Sequence, residues 1–166
     1  MSKQNSVKNA LRSFLETYSD SLTNGIEHQG VRRKIREINL SSLTPSRQTY
    51  SITVRINSVS YQQVPSANIR DSVVVVYDVE LHIVDYALPQ KDDEAVFERV
   101  HSDFDLLVDR IMELFRSVHS IVDGDNKFTV GKEFRLSNRT NWYDTGKEVF
   151  PSLYSVLSLK LTDYCN

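Results

Sequence analysis

The fold is decided by the stretch Val73–Val84, which reads VVVVYDVELHIV. Its first half is continuously apolar, and its second half alternates apolar and polar side chains. This alternation has the period of two that is typical of a half-buried β-strand. The stretch therefore predicts the central strand of a sheet.

An amphipathic helix is predicted beyond this strand, over about residues 94–119. Apolar residues recur there every three or four positions and form one stripe along a helix. Acidic residues at its start are favoured by the positive end of the helix dipole. The apolar stripe consists of Phe97, Val100, Phe104, Leu107, Val108, Ile111, Leu114, Phe115 and Val118.

The remaining elements are predicted on either side of these two. The same helical spacing predicts a first helix from about residue 6 to 23, which the turn-forming pair Asn24-Gly25 ends. The element order becomes α-β-β-β-α-β-β, and no linker divides residues 1–166. We expect a single α+β domain, in which one mixed or mainly antiparallel sheet of about five strands carries both helices on one face. The other predicted strands are Val31–Leu40, Tyr50–Ile56, Phe128–Leu136 and Leu157–Leu161.

Two polar segments are predicted to be long exposed loops. One is Val59–Asp71, which contains Tyr61, and the other is Ser137–Glu148, which contains Trp142 and Tyr143. Connections between neighbouring strands normally need only two to five residues. Because Trp and Tyr are favoured interface anchors, both segments are candidate partner-contact loops. The alternative, in which Trp142 folds back and covers its own core, stays open.

Composition excludes several classes of protein. The chain has 166 residues, a formal net charge of −2 and one cysteine. The charge provides no overall attraction to nucleic acid or to an anionic membrane. A lone cysteine cannot form a disulfide within the chain. The N-terminal residues also lack the apolar run of a signal peptide, so we expect synthesis in the cytoplasm and no membrane partner.

No catalytic, cofactor or metal motif is evident. His101 and His119 lie on one predicted helix face, but about 27 Å apart at about 1.5 Å per residue, so they cannot share a metal. The stretch Asp123–Asn126 lacks the spacing of a calcium loop and is predicted to be a turn. No nucleophile elbow or phosphate loop occurs. We therefore predict a protein that is not an enzyme, with no cofactor, no metal and no catalytic residue.

Charge is concentrated in two groups, which form the candidate subunit interface. The basic cluster is Arg32, Arg33, Lys34 and Arg36. The acidic stripe of the second helix is Glu98, Asp105, Asp109 and Glu113. For this stripe we favour a solvated helix face over an acid–base cluster, because nothing in the pattern requires the carboxylates to be buried. The basic cluster could contact phosphates, meet the acidic stripe of a neighbouring copy, or be a solvated strand edge.

The order of elements resembles that of the tail terminators, small virion proteins of long-tailed bacteriophages. The resemblance is carried by the N-terminal helix ending at Leu22, the strand Val73–Val84, the helix Glu94–His119 and the closing strand that ends at Leu161. It covers nearly the whole chain. It consists of patterns, and no functional residue motif of the family can be placed on this sequence.

The resemblance implies a structural protein of the virion tail and neck. Members of this family form a hexameric ring that caps the tail tube and joins it to the head-side neck proteins. The implied partners are other copies of the chain, the tail tube and neck or connector proteins, with the sheath as a further candidate. The ring would form in solution or on the tube, through heterologous contacts between unlike surfaces.

Other functions remain open at this point. Within the same class, the chain could be another head–tail connector or a tail-completion protein. A small nucleic-acid-binding module using the basic strand 32–36 is a second class, although no aromatic residues interleave the cluster and direct nucleic-acid binding is not expected. An enzyme with an unrecognised site is a third class, and it predicts a deep pocket with convergent polar groups.

Overall fold

The computed structural model describes residues 2–28, 30–40, 50–64, 72–85, 94–144 and 149–164. Two helices, α1 (Lys3–Leu22) and α2 (Glu94–Ser117), accompany the strands. A short hairpin consists of β1 (Glu27–His28) and β2 (Val31–Arg32). The main sheet contains β3 (Ile35–Asn39), β4 (Tyr50–Val64), β5 (Ser72–Asp85), β6 (Ser120–Asp123), β7 (Asn126–Val130), β8 (Arg135–Asp144) and β9 (Val149–Tyr164).

The main sheet is mixed. Its order is β3-β4-β5-β9-β7-β6, and β8 also pairs with β9. Only the pairing of β3 with β4 is parallel among the described strands. Strand β9 is long enough to pair with β8 through its first part and with β7 near its end. The predicted α+β class with two helices and a mixed sheet is confirmed, with seven strands in the sheet instead of about five.

The core lies between one face of the sheet and the two helices. Alternate residues of β5, from Tyr77 to Ile83, are buried there, in register with Val54 of β4 and Leu157 of β9. Phe14 of α1 packs against Phe115 of α2, with ring centroids 5.2 Å apart. The two helices thus close one continuous hydrophobic cluster.

Helix α1 begins three residues earlier than predicted because its first turn is capped. The Ser2 hydroxyl accepts a hydrogen bond from the backbone N–H of Asn5 at 3.3 Å. Such a cap satisfies one of the N–H groups that a helix start leaves unpaired. The buried side of α1 is formed by Val7, Leu11 and Leu15, as its spacing predicts.

The prediction of a loop from Val59 is wrong for residues 59–64. These residues continue β4, in register with β5 as far as the pair Val64 and Ser72. The described side chains of residues 60–63 are exposed on both sides of the strand, so no burial alternation marks them in the sequence. Residues 65–71 lie outside the described part of the chain.

The prediction of a loop from Ser137 is wrong for residues 137–144. They belong to β8, which pairs antiparallel with β9 from Arg135 to Asp144. Residues 135–138 are all exposed, so this strand also lacks alternation between buried and exposed positions. The predicted single strand Phe128–Leu136 is divided into the separate strands β7 and β8. Residues 145–148 lie outside the described part.

Candidate functional site

The acidic stripe lies on the outer side of α2. Glu98, Asp105, Asp109 and Glu113 are exposed, at spacings of seven, four and four residues that place them on one side of the helix. Two members have partners on the same helix: Asp105 lies 3.2 Å from Nδ1 of His101, and Glu113 pairs with Arg116. Exposed pairs of this kind are weak and leave the carboxylates accessible to another molecule.

The basic cluster is divided by the fold. Arg32 and Lys34 are exposed, whereas Arg33 between them is buried. The guanidinium of Arg32 donates a hydrogen bond to the backbone carbonyl of Asp20, near the end of α1. Arg36 lies on β3 where its register with β4 shifts. The accessible basic surface described by the structure therefore consists of Arg32 and Lys34.

Arg33 forms a buried ion pair with Asp85. Its two terminal nitrogens donate hydrogen bonds to the two carboxylate oxygens, at 2.7 and 2.6 Å. The guanidinium lies over the ring of Tyr50, 4.3 Å from its centroid. Tyr50 and Asp85 are directly opposite each other on β4 and β5. Arg33 is thus a core residue and is not accessible to take part in the predicted subunit interface.

Burial and charge shift the pKa values in this cluster. Burial alone lowers the pKa of Arg33, but the hydrogen bonds and negative charge of Asp85 more than offset it, so the guanidinium pKa is raised. Burial also raises the pKa of the Tyr50 hydroxyl, and the carboxylate of Asp85 raises it further. At neutral pH the cluster contains one positive charge, one negative charge and a neutral phenol.

The two accessible charged groups do not neutralise each other within one copy. Among the described residues, no ion pair joins Arg32 or Lys34 to Glu98, Asp105, Asp109 or Glu113. Both groups can therefore meet opposite charges on another molecule.

The aromatic candidates lie on strands. Tyr61 is on β4 and is 74% exposed, so its ring contacts little of its own domain. Trp142 and Tyr143 are on β8, opposite Pro151 and Phe150 of β9. The predicted loops are therefore ends of strand pairs, which fix the backbone of these aromatic residues more firmly than a loop would.

The β8–β9 pair extends beyond the rest of the described sheet. Strand β5 ends where Asp85 meets Leu153 of β9, but β8 and β9 remain paired from Asn141 to Asp144. This extension carries Trp142 and Tyr143 beyond the end of β5. We call it the β8–β9 tip.

Two strands have open edges. Strand β3 pairs with β4 only as far as Thr53, and no described strand pairs with the same edge of β4 from there to Val64. Strand β8 has β9 on one side and no described strand on the other. An open edge presents unpaired N–H and C=O groups to any other strand.

A second polar cluster lies on the opposite face of the sheet. His82 of β5 is buried; its Nδ1 contacts the hydroxyl of Tyr154, and its Nε2 lies 3.0 Å from Glu80. Neighbouring Ser51 and Thr53 on β4 are also buried, and their hydroxyls have no hydrogen-bond partner among the described residues. The sequence marks His82 only as a polar position of a strand, so this burial is not predictable from the pattern.

A small cavity lies between α2 and strands β8 and β9. It is bordered by His101, Phe104, Asn138 and Tyr154 and has a volume of about 90 Å³. Pockets for small molecules generally measure roughly 300–1,000 Å³.

Within the described ranges, no three His, Cys, Asp or Glu side chains are grouped as they would be around a metal ion. Neither described helix is sufficiently long and apolar to cross a membrane. Residues 123–126 form the tight turn between β6 and β7, as predicted.

No family model and no curated protein matches this chain.

Proposed function

We propose that this chain is a non-enzymatic virion protein of the tail-terminator type. It forms a homomeric ring, which we take to be a hexamer, that caps the tail tube and joins the tail to the neck. The observation that supports the ring is the presence of two accessible, oppositely charged surfaces that form no ion pair with each other among the described residues. Arg32 and Lys34 form one surface, and the acidic stripe of α2 forms the other.

Unlike surfaces on one chain favour head-to-tail assembly. When a basic surface contacts the acidic surface of the next copy, the contact is heterologous and repeats until the ring closes. Charge complementarity of this type also sets the orientation of the copies and excludes incorrect contacts. The resulting subunit interface contains Arg32, Lys34, Asp105 and Asp109, without the buried Arg33.

The β8–β9 tip is the proposed contact with the tail tube or the neck. It carries Trp142 and Tyr143 on paired strands beyond the end of β5. Aromatic residues on a fixed backbone lose little conformational entropy on binding and are frequent interface anchors. Tyr61, on β4, is a second exposed aromatic residue available to a partner.

The native mass across protein and salt concentrations tests the ring. We expect a discrete species of about six times the 19.1 kDa chain in light scattering, and a ring with a central opening in negative-stain micrographs. Salt should dissociate it, because exposed charges are screened beyond about 10 Å at 0.1 M. A protein that remains monomeric up to millimolar concentration would contradict self-assembly and remove the main support for this function.

A further inference from the structure

We propose that neighbouring copies join through their sheets, with the open edge of β4 in one copy pairing antiparallel with the open edge of β8 in the next. This inference rests on the proposed ring and specifies the backbone contact that closes it. The occupant of each open edge is thus a second copy of this chain.

Within the described part of the chain, the open edge of β4 lacks the features that normally protect an edge strand. Natural edges are blunted by lysine, proline, bulges or a covering element. Ser58–Val64 reads SVSYQQV, with no charged residue and no proline, and its pairing with β5 is regular to the last pair. The nearest bulge is before this stretch, between Ile56 and Ser58. Its described side chains are exposed or half-buried. An exposed, uncharged edge of this length would aggregate unless a specific partner covers it.

Strand β8 offers the second open edge, and its charged residues, Arg135, Arg139 and Asp144, leave the runs 136–138 and 140–143 uncharged. It is ten residues long, from Arg135 to Asp144, and Arg135–Asn138 are exposed on both faces. Residues 135–138 bury neither face, so they gain little from their own domain apart from backbone pairing with β9. In the register that sets Ser60 opposite Ser137, Ser58–Gln62 of β4 pairs with Arg135–Arg139 of β8.

The strand directions also agree. In the order β4-β5-β9-β8, each neighbouring pair is antiparallel, so β4 and β8 run in opposite directions. When β8 of one copy lies beside β4 of the next, the new pair is antiparallel and the sheet continues without interruption. Pairing of two β4 edges would instead give a two-fold dimer, which cannot extend into a ring.

The two edges are offset along the strands, and this offset suits a closed ring. The stretch Ser58–Val64 of β4 pairs with the start of β5, which pairs with the end of β9, between Lys160 and Tyr164. Strand β8 pairs with the earlier part of β9, from Val149 to Ser158. Joining the edges displaces each copy along the strand direction. The copies lie at the same height on the ring axis only if their strands are tilted relative to that axis, as strands are in closed barrels.

Lysine substitution on the β4 edge tests the pairing. Ser60 and Gln62 are exposed and point to the same face of the sheet. We expect the variant S60K/Q62K to be folded and monomeric, because charged side chains on an edge oppose strand addition. The matched control is S13K/T17K, which places two lysines on the exposed side of α1 and should retain the mass of the wild-type assembly. Circular dichroism melting establishes that both variants are folded.

Disulfide trapping tests the partner edge directly, in a C165S background. Ser60 of β4 and Ser137 of β8 lie on the same face of a continuous sheet, whereas Asn138 lies on the other face. A mixture of S60C and S137C proteins should give cross-linked dimers on oxidation, and the S60C/S137C double variant a ladder of higher species. The combination of S60C with N138C should cross-link at least tenfold less.

The outcomes separate this inference from the proposed function. If the wild type assembles and S60K/Q62K retains the same mass, edge pairing is wrong and the ring stands. Cross-links between S60C copies alone, without S137C, would likewise overturn it in favour of a symmetric contact. A wild type that forms no oligomer and traps no disulfide overturns both the ring and the edge pairing.

Discussion

Arg33 and Asp85, separated by 52 positions in the chain, form a two-pronged ion pair in the core, at 2.7 and 2.6 Å. Asp85 is fully buried and Arg33 is 9% exposed. The pair connects the segment between β2 and β3 to the end of β5. Breaking such a pair from one side leaves a buried charge without compensation, which costs more than the pair itself contributes.

We therefore predict that Asp85→Asn lowers the free energy of unfolding by about 3–5 kcal/mol. Urea denaturation followed by circular dichroism measures the change. The matched control is Asp109→Asn on the exposed side of α2, which should change stability by less than about 0.5 kcal/mol. Equal effects of the two substitutions would show that the Asp85 carboxylate has no special role in the core.

Ionisation of the Tyr50 hydroxyl is expected to lower the stability of the fold at alkaline pH. Its raised pKa in the folded protein means that the unfolded chain, with a tyrosine pKa of about 10, releases this proton first. The stabilisation is complete below pH 10 and declines as the pH rises above it, by about 1.4 kcal/mol per unit from this group.

The variant Tyr50→Phe isolates this contribution. Phenylalanine keeps the ring that lies under the Arg33 guanidinium and beside Phe104 and removes only the hydroxyl, so the substitution should change stability by at most about 1 kcal/mol at pH 7. Denaturation curves between pH 9 and 11 should then fall less steeply for Tyr50→Phe than for the wild type. Tyr61→Phe, at a position 74% exposed, is the control and should follow the wild type. Parallel pH profiles for Tyr50→Phe and the wild type would exclude Tyr50 as the cause.

The sequence predicts those elements whose burial repeats with a regular period. Helix α2 is an example: Phe104, Leu107 and Ile111 are buried at the spacing that indicated the helix. Strand β5 is another, because Val79 and Leu81 face the core. In such elements the spacing of apolar and polar residues indicates which face is covered. A pattern of this kind is therefore sufficient to infer the α+β class.

The sequence does not predict strands that are held mainly by their backbones. Residues 135–138 of β8 and 60–63 of β4 have exposed side chains, so the composition of these stretches is that of loops. The sequence does not reveal long-range ion pairs, for a different reason. Nothing in the run Arg32-Arg33-Lys34 distinguishes the middle residue, whose partner Asp85 is far away in the chain. The basic cluster predicted from the sequence therefore includes one residue, Arg33, that belongs to the core.

Gly124 is predicted to be needed for the turn between β6 and β7. Its φ is 57°, in the left-handed region, and an added Cβ would meet no atom within 4 Å. The cost of Gly124→Ala is therefore backbone strain alone, and we expect a loss of about 1–2 kcal/mol. Gly124→Asn is the control, because Asn tolerates this conformation better. Thermal unfolding of the two variants measures the difference, and equal stabilities would contradict the strain.

Charge reversal across the proposed subunit contact gives the sharpest test of head-to-tail assembly. We expect R32E/K34E and D105K/D109K each to weaken the oligomer roughly tenfold, since each exposed pair contributes about 0.2–1 kcal/mol and a tenfold change corresponds to about 1.4 kcal/mol. Mixing the two variants should restore assembly, because a ring in which they alternate has opposite charges at every contact. Sedimentation velocity at low salt measures all three samples. Restoration requires that the basic surface of one copy meets the acidic surface of another, so a mixture that assembles no better than its components would place these residues outside the interface.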